Sequence, residues 1–201
     1  MKPILIGLIG GSASGKTSFL RDLAKEFNSN ELCIISQDNY YIHRDFITKD
    51  QNGIHNFDLP SSFNLELYIS HLKELKQGNT VHKDEYTFYN SAPKTLAFVP
   101  TPLIIIEGIF TFLPKEAFDL FDYKIFIDVQ HNLMLNRRIK RDFEERGFDL
   151  EDVTYRWENH VFPAYEQYIL PFRDMVDIII PNNEHYANGL KILTSFFKTL
   201  L

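Results

Sequence analysis

Apolar residues in this chain gather in short continuous runs, separated by longer stretches where they recur at helical spacing. Ile4 to Ile9 is almost unbroken, the mark of a strand covered on both faces of a sheet. A helix is predicted after it, to about Phe27, with Phe19, Leu20, Leu23 and Phe27 along one side. Leu32–Ser36 predicts a second strand and Phe63–Gln77 a second helix. The strand pattern returns at Leu103–Ile106, Tyr123–Val129 and Val176–Ile180. Helical spacing runs through a basic segment, Leu133–Arg146, then from Leu150 to about Tyr168, and through the amphipathic end, His185–Leu200. Residues 79–100 predict a β-excursion, a small hairpin carried by Thr80–Val81, Tyr86–Phe88 and Thr95–Val99. Strands alternating with helices predict an α/β fold: a mostly parallel five-stranded sheet with helices on both faces, in one domain spanning 1–201.

Residues 37–62 fit neither period and are rich in Asp, Asn and His. A loop that long in a compact domain more often carries function than not.

Composition narrows the function. The apolar share is 44% and the charged share 24%, ordinary for a soluble domain. The 18 Phe and 10 Tyr predict aromatic core and pocket walls. Net charge is −6, a poor basis for nucleic-acid binding, which neutralises phosphates with excess cations. The single cysteine, Cys33, can form neither an internal disulfide nor a paired-cysteine metal site. No apolar run reaches membrane length, so no membrane association and a cytoplasmic location are expected.

The first strand ends in Gly10-Gly11-Ser12-Ala13-Ser14-Gly15-Lys16-Thr17, and a helix begins there. This is the GxxxxGK[ST] pattern of a P-loop in its required context of strand, turn and helix. The glycines let backbone N–H groups curl round phosphate oxygens, and the helix N-terminus adds partial positive charge. Lys16 is expected to reach the terminal phosphates of a nucleoside triphosphate, and Thr17 to offer its hydroxyl to Mg²⁺. Glu107 ends the third core strand, which puts it on the phosphate side of an open α/β sheet, as the second metal-side group.

A GTPase switch would carry an NKxD-type segment after a strand, and none is present. Asp50-Gln51-Asn52-Gly53 fits DxxG, but no apolar strand precedes it. A kinase needs a base near the acceptor hydroxyl and cations over the moving phosphate. Asp38, just past the second strand, is the candidate base. The cations are Arg137, Arg138, Arg141 and Arg146, of which Arg138 and Arg141 share a helix face. His160, on the second of the two late helices, is expected to be structural.

Together these segments resemble the uridine–cytidine kinase family of P-loop kinases over nearly the whole chain. The resemblance is carried by the P-loop, by Ser36-Gln37-Asp38-Asn39-Tyr40-Tyr41, by Asn56-Phe57-Asp58-Leu59-Pro60, by Glu107-Gly108-Ile109-Phe110, and by the run Arg137 to Asp142 followed by Glu145-Arg146-Gly147. Pro163-Ala164-Tyr165 and Asp177 to Pro181 are similar to family runs as well. It implies the P-loop NTPase fold with an arginine-rich lid over about 133–148, and ATP and Mg²⁺ as cofactors. It further implies γ-phosphate transfer to the 5′-hydroxyl of a ribonucleoside, uridine or cytidine by default.

In that resemblance Asp38 takes the hydroxyl proton, while Asp58 accepts from the ribose 2′- and 3′-hydroxyls with Arg138 assisting. Tyr41 belongs to the acceptor pocket, Tyr86 and Phe88 flank the base, and Arg141 and Arg146 close over the phosphates. The departures cluster at the base. The family has an aspartate at the place of Thr87, a histidine at Ser91, an arginine at Phe148 and a glutamine at Arg156. Two other readings stay open: a P-loop kinase of another ribosyl or hydroxyl compound, such as nicotinamide riboside, pantothenate or a sugar phosphate, and a nucleotide-binding regulator without kinase activity. The resemblance also implies a homo-oligomer, a dimer or tetramer, and inhibition by pyrimidine triphosphates.

Overall fold

The computed structural model describes residues 2–87 and 94–201, apart from the side chains of Glu145 and Arg146. In chain order, β1 (Ile4–Ile9) leads into α1 (Lys16–Ala24), then β2 (Leu32–Ser36), α2 (Leu65–Gln77), β3 (Val81–Asp84) and β4 (Thr95–Phe98). There follow β5 (Leu103–Gly108), α3 (Lys115–Leu120), β6 (Tyr123–Asp128), α4 (His131–Arg146), α5 (Leu150–Arg156), α6 (Phe162–Ala164), β7 (Ile178–Pro181) and α7 (Ala187–Lys198). The expected five-stranded sheet is present, wholly parallel, in the order β2–β5–β1–β6–β7, and helices flank it. β3 and β4 pair antiparallel as a separate hairpin.

The two central strands are apolar because both faces are covered. Leu5, Ile6, Leu8 and Ile9 of β1, and Leu103 to Ile106 of β5, are all fully buried. Each such side chain contributes about 1.5–3 kcal/mol relative to its exposed state. Gly7 is the exception in β1, and it has a reason. A Cβ there would overlap Phe112 Cε1 and sit 3.0 Å from Phe121 Cγ. Those rings belong to an aromatic cluster with Phe118 and Phe172 beside the sheet. Gly7→Ala is expected to lower stability by about 1–3 kcal/mol through overpacking. Urea denaturation checks it, and an unchanged midpoint would mean the cluster yields freely.

Three local features differ from the sequence expectation. The hairpin is paired at Val81–Asp84 with Thr95–Phe98, so Tyr86 and Thr87 are not part of a ladder. After the Glu85 N–H bonds to the Lys94 carbonyl, the Tyr86 N–H turns away to Asn39 Oδ1 at 3.3 Å. Helix α3 was not anticipated; six residues are too few to display a helical period. The predicted helix from Leu150 to Tyr168 is interrupted. α5 passes into a π turn, Trp157–Val161, closed by the Phe162 N–H on the Trp157 carbonyl. A second π turn, Tyr165–Ile169, follows α6. Pro163 lies between them and has no N–H to continue an α ladder.

Candidate active site

The parallel register sets one corner of the site. Glu107 of β5 lies opposite Leu8 of β1 and Ser36 of β2, at the carboxyl ends of three adjacent strands. The Ser36 hydroxyl donates to Glu107 Oε1 at 3.0 Å. Between β1 and α1 the chain makes the phosphate loop. Ala13 has φ +60° and Gly15 φ +96°, left-handed conformations that draw successive N–H groups to one side. A Cβ at Gly10 would meet the Ile127 carbonyl oxygen and Ser14 Oγ, each at 2.8 Å, and one at Gly11 would meet Met134 and Tyr165. Ser14 is itself buried, and its carbonyl accepts from Asn182 Nδ2 at 2.8 Å.

Lys16 is folded back onto this loop. Its ammonium donates to the carbonyls of Gly10 at 2.8 Å and Gly11 at 3.0 Å. Burial pulls its pKa below the ordinary lysine value, Glu107 and Asp38 work against that pull, and Arg141 adds to it. Glu107 and Asp38 are thus the two carboxylates whose charge acts on Lys16.

A cleft of about 840 Å³ opens from this corner. Ser12, Ala13, Gly15, Lys16, Thr17 and Glu107 line it, together with Asp38, Tyr41 and Asp58. Arg138 and Arg141 reach it from α4, and Phe148 and Arg156 from the segment after it. These candidates named from the sequence thus share one space.

The local supports are specific. Asp38 sits in a 3₁₀ turn, Gln37–Tyr40, whose cap is Ser36: the Asp38 N–H bonds to Ser36 Oγ at 3.3 Å. Gln37 beside it is fully buried and accepts the Phe110 N–H at 3.0 Å. Asp58 takes its backbone position from Asn56, whose Oδ1 accepts the Asp58 N–H at 3.0 Å. Burial raises the Asp58 pKa, and Arg138, His160, Arg156 and Arg141 oppose that rise, in that order. Tyr41 packs its ring on Phe63 at 4.0 Å and on Tyr86 at 5.3 Å, and its hydroxyl is held neutral by burial and by Asp38 and Asp58.

On α4, Asp142 is almost wholly buried and pairs with Arg138 at 3.2 Å and Arg141 at 2.8 Å. Arg138 also donates to Ser12 Oγ at 2.7 Å, so the arginine helix rests on the phosphate loop. Arg137 also lines the cleft, and it donates to the Asn182 and Asn183 carbonyls after β7.

Some expectations need adjustment. Tyr86 supports Tyr41 and is not itself among the lining residues. Phe88 and Ser91 lie outside the described residues, as does the side chain of Arg146. Phe148 and Arg156 do meet: the guanidinium carbon lies 5.5 Å from the Phe148 ring centre, and Arg156 Nε is held by Asp152 at 2.9 Å. His160, expected to be structural, is buried yet lines the cleft. Arg44 and His55 were missed altogether. Their only signal was membership of the long 37–62 loop.

The residues fit the groups that the motif calls for. Tightly packed glycines and left-handed turns make a cradle for phosphates, and a neighbouring lysine supplies a cation. Mg²⁺ needs only one or two carboxylates beside phosphate oxygens and waters, which Thr17 and Glu107 can complete. Among the described residues no group of three metal-type side chains is assembled to hold an ion unaided.

The model of the Phosphoribulokinase / Uridine kinase family matches residues 5–187. This chain belongs to that family. It is 37% identical to a uridine kinase of Macrococcus caseolyticus over 202 aligned residues, covering 100% of this chain and 98% of the relative. A uridine kinase of Clostridium tetani is 35% identical, with 100% and 97% covered. Phosphoribulokinase from Rhodobacter spheroides has the same fold at 19% identity, with a TM-score of 0.67 over 90% of this chain and 70% of that one. As a member of a kinase family the chain is a phosphotransferase acting on an alcohol, which sets aside the non-catalytic regulator. Among the described residues no helix is long and apolar enough to cross a membrane.

Proposed function

We propose that this phosphotransferase is an ATP- and Mg²⁺-dependent nucleoside kinase that transfers the γ-phosphate to the 5′-hydroxyl of a ribonucleoside, with uridine or cytidine as the default acceptor. The carrying observation is one cleft lined both by the phosphate loop and by two separately supported aspartates, Asp38 and Asp58. One carboxylate suffices to take a proton; a second, supported independently, supports an acceptor with further hydroxyls. The full-length match to uridine kinases supports the same reading.

In this reading Asp38 accepts the 5′-hydroxyl proton as the hydroxyl oxygen attacks. Asp58, an acceptor-only group when ionised, holds the ribose 2′- and 3′-hydroxyls. Lys16 exchanges its carbonyl partners in the loop for phosphate oxygens, and Arg141 and Arg146 add charge over the phosphates as it shifts toward the leaving group. Thr17 and Glu107 hold Mg²⁺, which when bound neutralises phosphate charge. Tyr41 lines the acceptor, and Tyr86, Phe88, Ser91, Phe148 and Arg156 form its base-side surroundings. The partner is a small molecule.

ADP release over a panel of uridine, cytidine, purine nucleosides, nicotinamide riboside, pantothenate and a sugar phosphate tests this proposal. Turnover with a non-ribosyl acceptor alone would overturn it. Within the panel, Arg156→Gln is expected to change the ratio of kcat/KM between bases by about 10-fold, because buried polar partners set discrimination. An equal change for every base would place Arg156 outside base selection.

A further inference from the structure

Asp50 is not among the residues lining the cleft, yet its carboxylate carries four hydrogen bonds. Oδ1 accepts the Asn52 and Ile54 N–H groups, each at 2.9 Å. Oδ2 accepts the Tyr155 hydroxyl and meets His160 Nε2, each at 2.7 Å. Burial works to raise the Asp50 pKa, but the bonds from Tyr155, Ile54, His160 and Asn52 hold it below the usual carboxylate range. An ionised carboxylate only accepts, so the pairing assigns the proton to His160 Nε2.

The two sides of this joint matter. On one side is the acceptor loop. Asp50 closes a turn whose flanks pair at Lys49 and His55, and the Asn56 N–H bonds to the Thr48 carbonyl at 2.8 Å. Asn56 then holds the Asp58 N–H at 3.0 Å. An unbroken set of bonds therefore runs from the Asp50 carboxylate to the backbone of Asp58. On the other side, Tyr155 lies in the last turn of α5 and His160 sits in the π turn that follows. Arg156 belongs to that same segment. The wide turn brings His160, four residues past Arg156, into a buried position beside the cleft.

We propose that Asp50 is a positioning residue for the acceptor: by joining the 47–58 loop to α5 and its π turn, it fixes Asp58 against the wall that carries Arg156 and Phe148. This rests on the reading of Asp58 as the acceptor-holding group. The P-loop has its own supports, in Asn182, Arg138 and the packing of its glycines. Loss of the joint therefore moves the acceptor wall and leaves triphosphate binding in place.

The test uses the full chain with ATP and uridine. Asp50→Asn keeps the shape and removes the charge. Its KM for uridine is expected to rise ~10-fold or more, with kcat and the KM for ATP within about 2-fold of the parent. His160→Gln retains an N–H donor and should lose less than His160→Ala. A parallel rise in both KM values, or unchanged kinetics in the folded Asp50→Asn protein, would overturn the proposal. Amide hydrogen exchange gives a readout independent of substrate identity. In Asp50→Asn the amides of Asn52, Ile54, Asn56 and Asp58 should exchange faster while those of β1 do not. Unchanged protection at Asn56 and Asp58 overturns the proposal even if the parent enzyme phosphorylates no nucleoside, a result that would separately remove the nucleoside-kinase reading.

Discussion

Replacing Asp38 by Asn is expected to lower turnover by ~10²–10⁴ while ATP binding stays close to that of the parent. The reason lies in how the residue is held. Its turn is pinned on one side by Ser36 Oγ and on the other by Gln37, buried and bonded to the Phe110 N–H. Asn at this position keeps the volume and the turn, so the cleft retains its shape. It loses the capacity to accept a full proton from the acceptor hydroxyl. The neighbouring P-loop bonds of Lys16 do not pass through Asp38, although its charge helps keep the lysine protonated. Single-turnover kinetics with a titration of a non-hydrolysable ATP analogue separate the two quantities. Near-normal turnover would take Asp38 out of the base role. Weakened analogue binding of the same size as the rate loss would assign it to the phosphates.

Asp58→Ala is expected to cut kcat/KM for a ribonucleoside by ~10²–10⁴, the loss of two charge-assisted hydrogen bonds at about 1.5–3 kcal/mol each. The carboxylate is a demanding group to keep where it is. Burial disfavours its charge, and Arg138 leads the cations that restore it. Nature of the acceptor gives the decisive comparison. The parent should prefer a ribonucleoside over its 2′-deoxy analogue, and in Asp58→Ala that preference should collapse toward unity, because the group that reads the hydroxyl is gone. A variant that is slower yet keeps the full ribose preference would place the reader elsewhere, with Arg138 the first alternative on the cleft wall.

The parts of this site that were legible in the sequence are those written in local code. Ile4–Ile9 followed by Gly10 to Thr17 carries its own geometry, since strand, turn and helix are contiguous. Glu107 was legible because the carboxyl end of a core strand lies on the crevice side of an open parallel sheet. Asp38 could be placed from the strand before it, whereas the role of Asp58 came from resemblance, as no period marks the 37–62 loop. The joint at Asp50 could not be read this way. Asp50 and His160 are 110 positions apart, and their meeting depends on a π turn that helical spacing does not announce. DxxG at Asp50 had no strand before it and offered no hint that its carboxylate would reach a distant helix. Helix α3 and the early end of the hairpin ladder at Asp84 were lost for a simpler reason: short elements are fixed by their neighbours.

The register of β5 has a further consequence. Glu107 stands level with both Leu8 and Ser36, and side chains alternate faces along a strand. One residue inserted or deleted within Leu103–Ile106 would turn the acid away from the crevice. Changes of length can accumulate only in the connections, such as 37–62, which contributes several residues to the cleft wall. A chain built this way can exchange one acceptor for another over its history while the corner that grips the triphosphate stays the same.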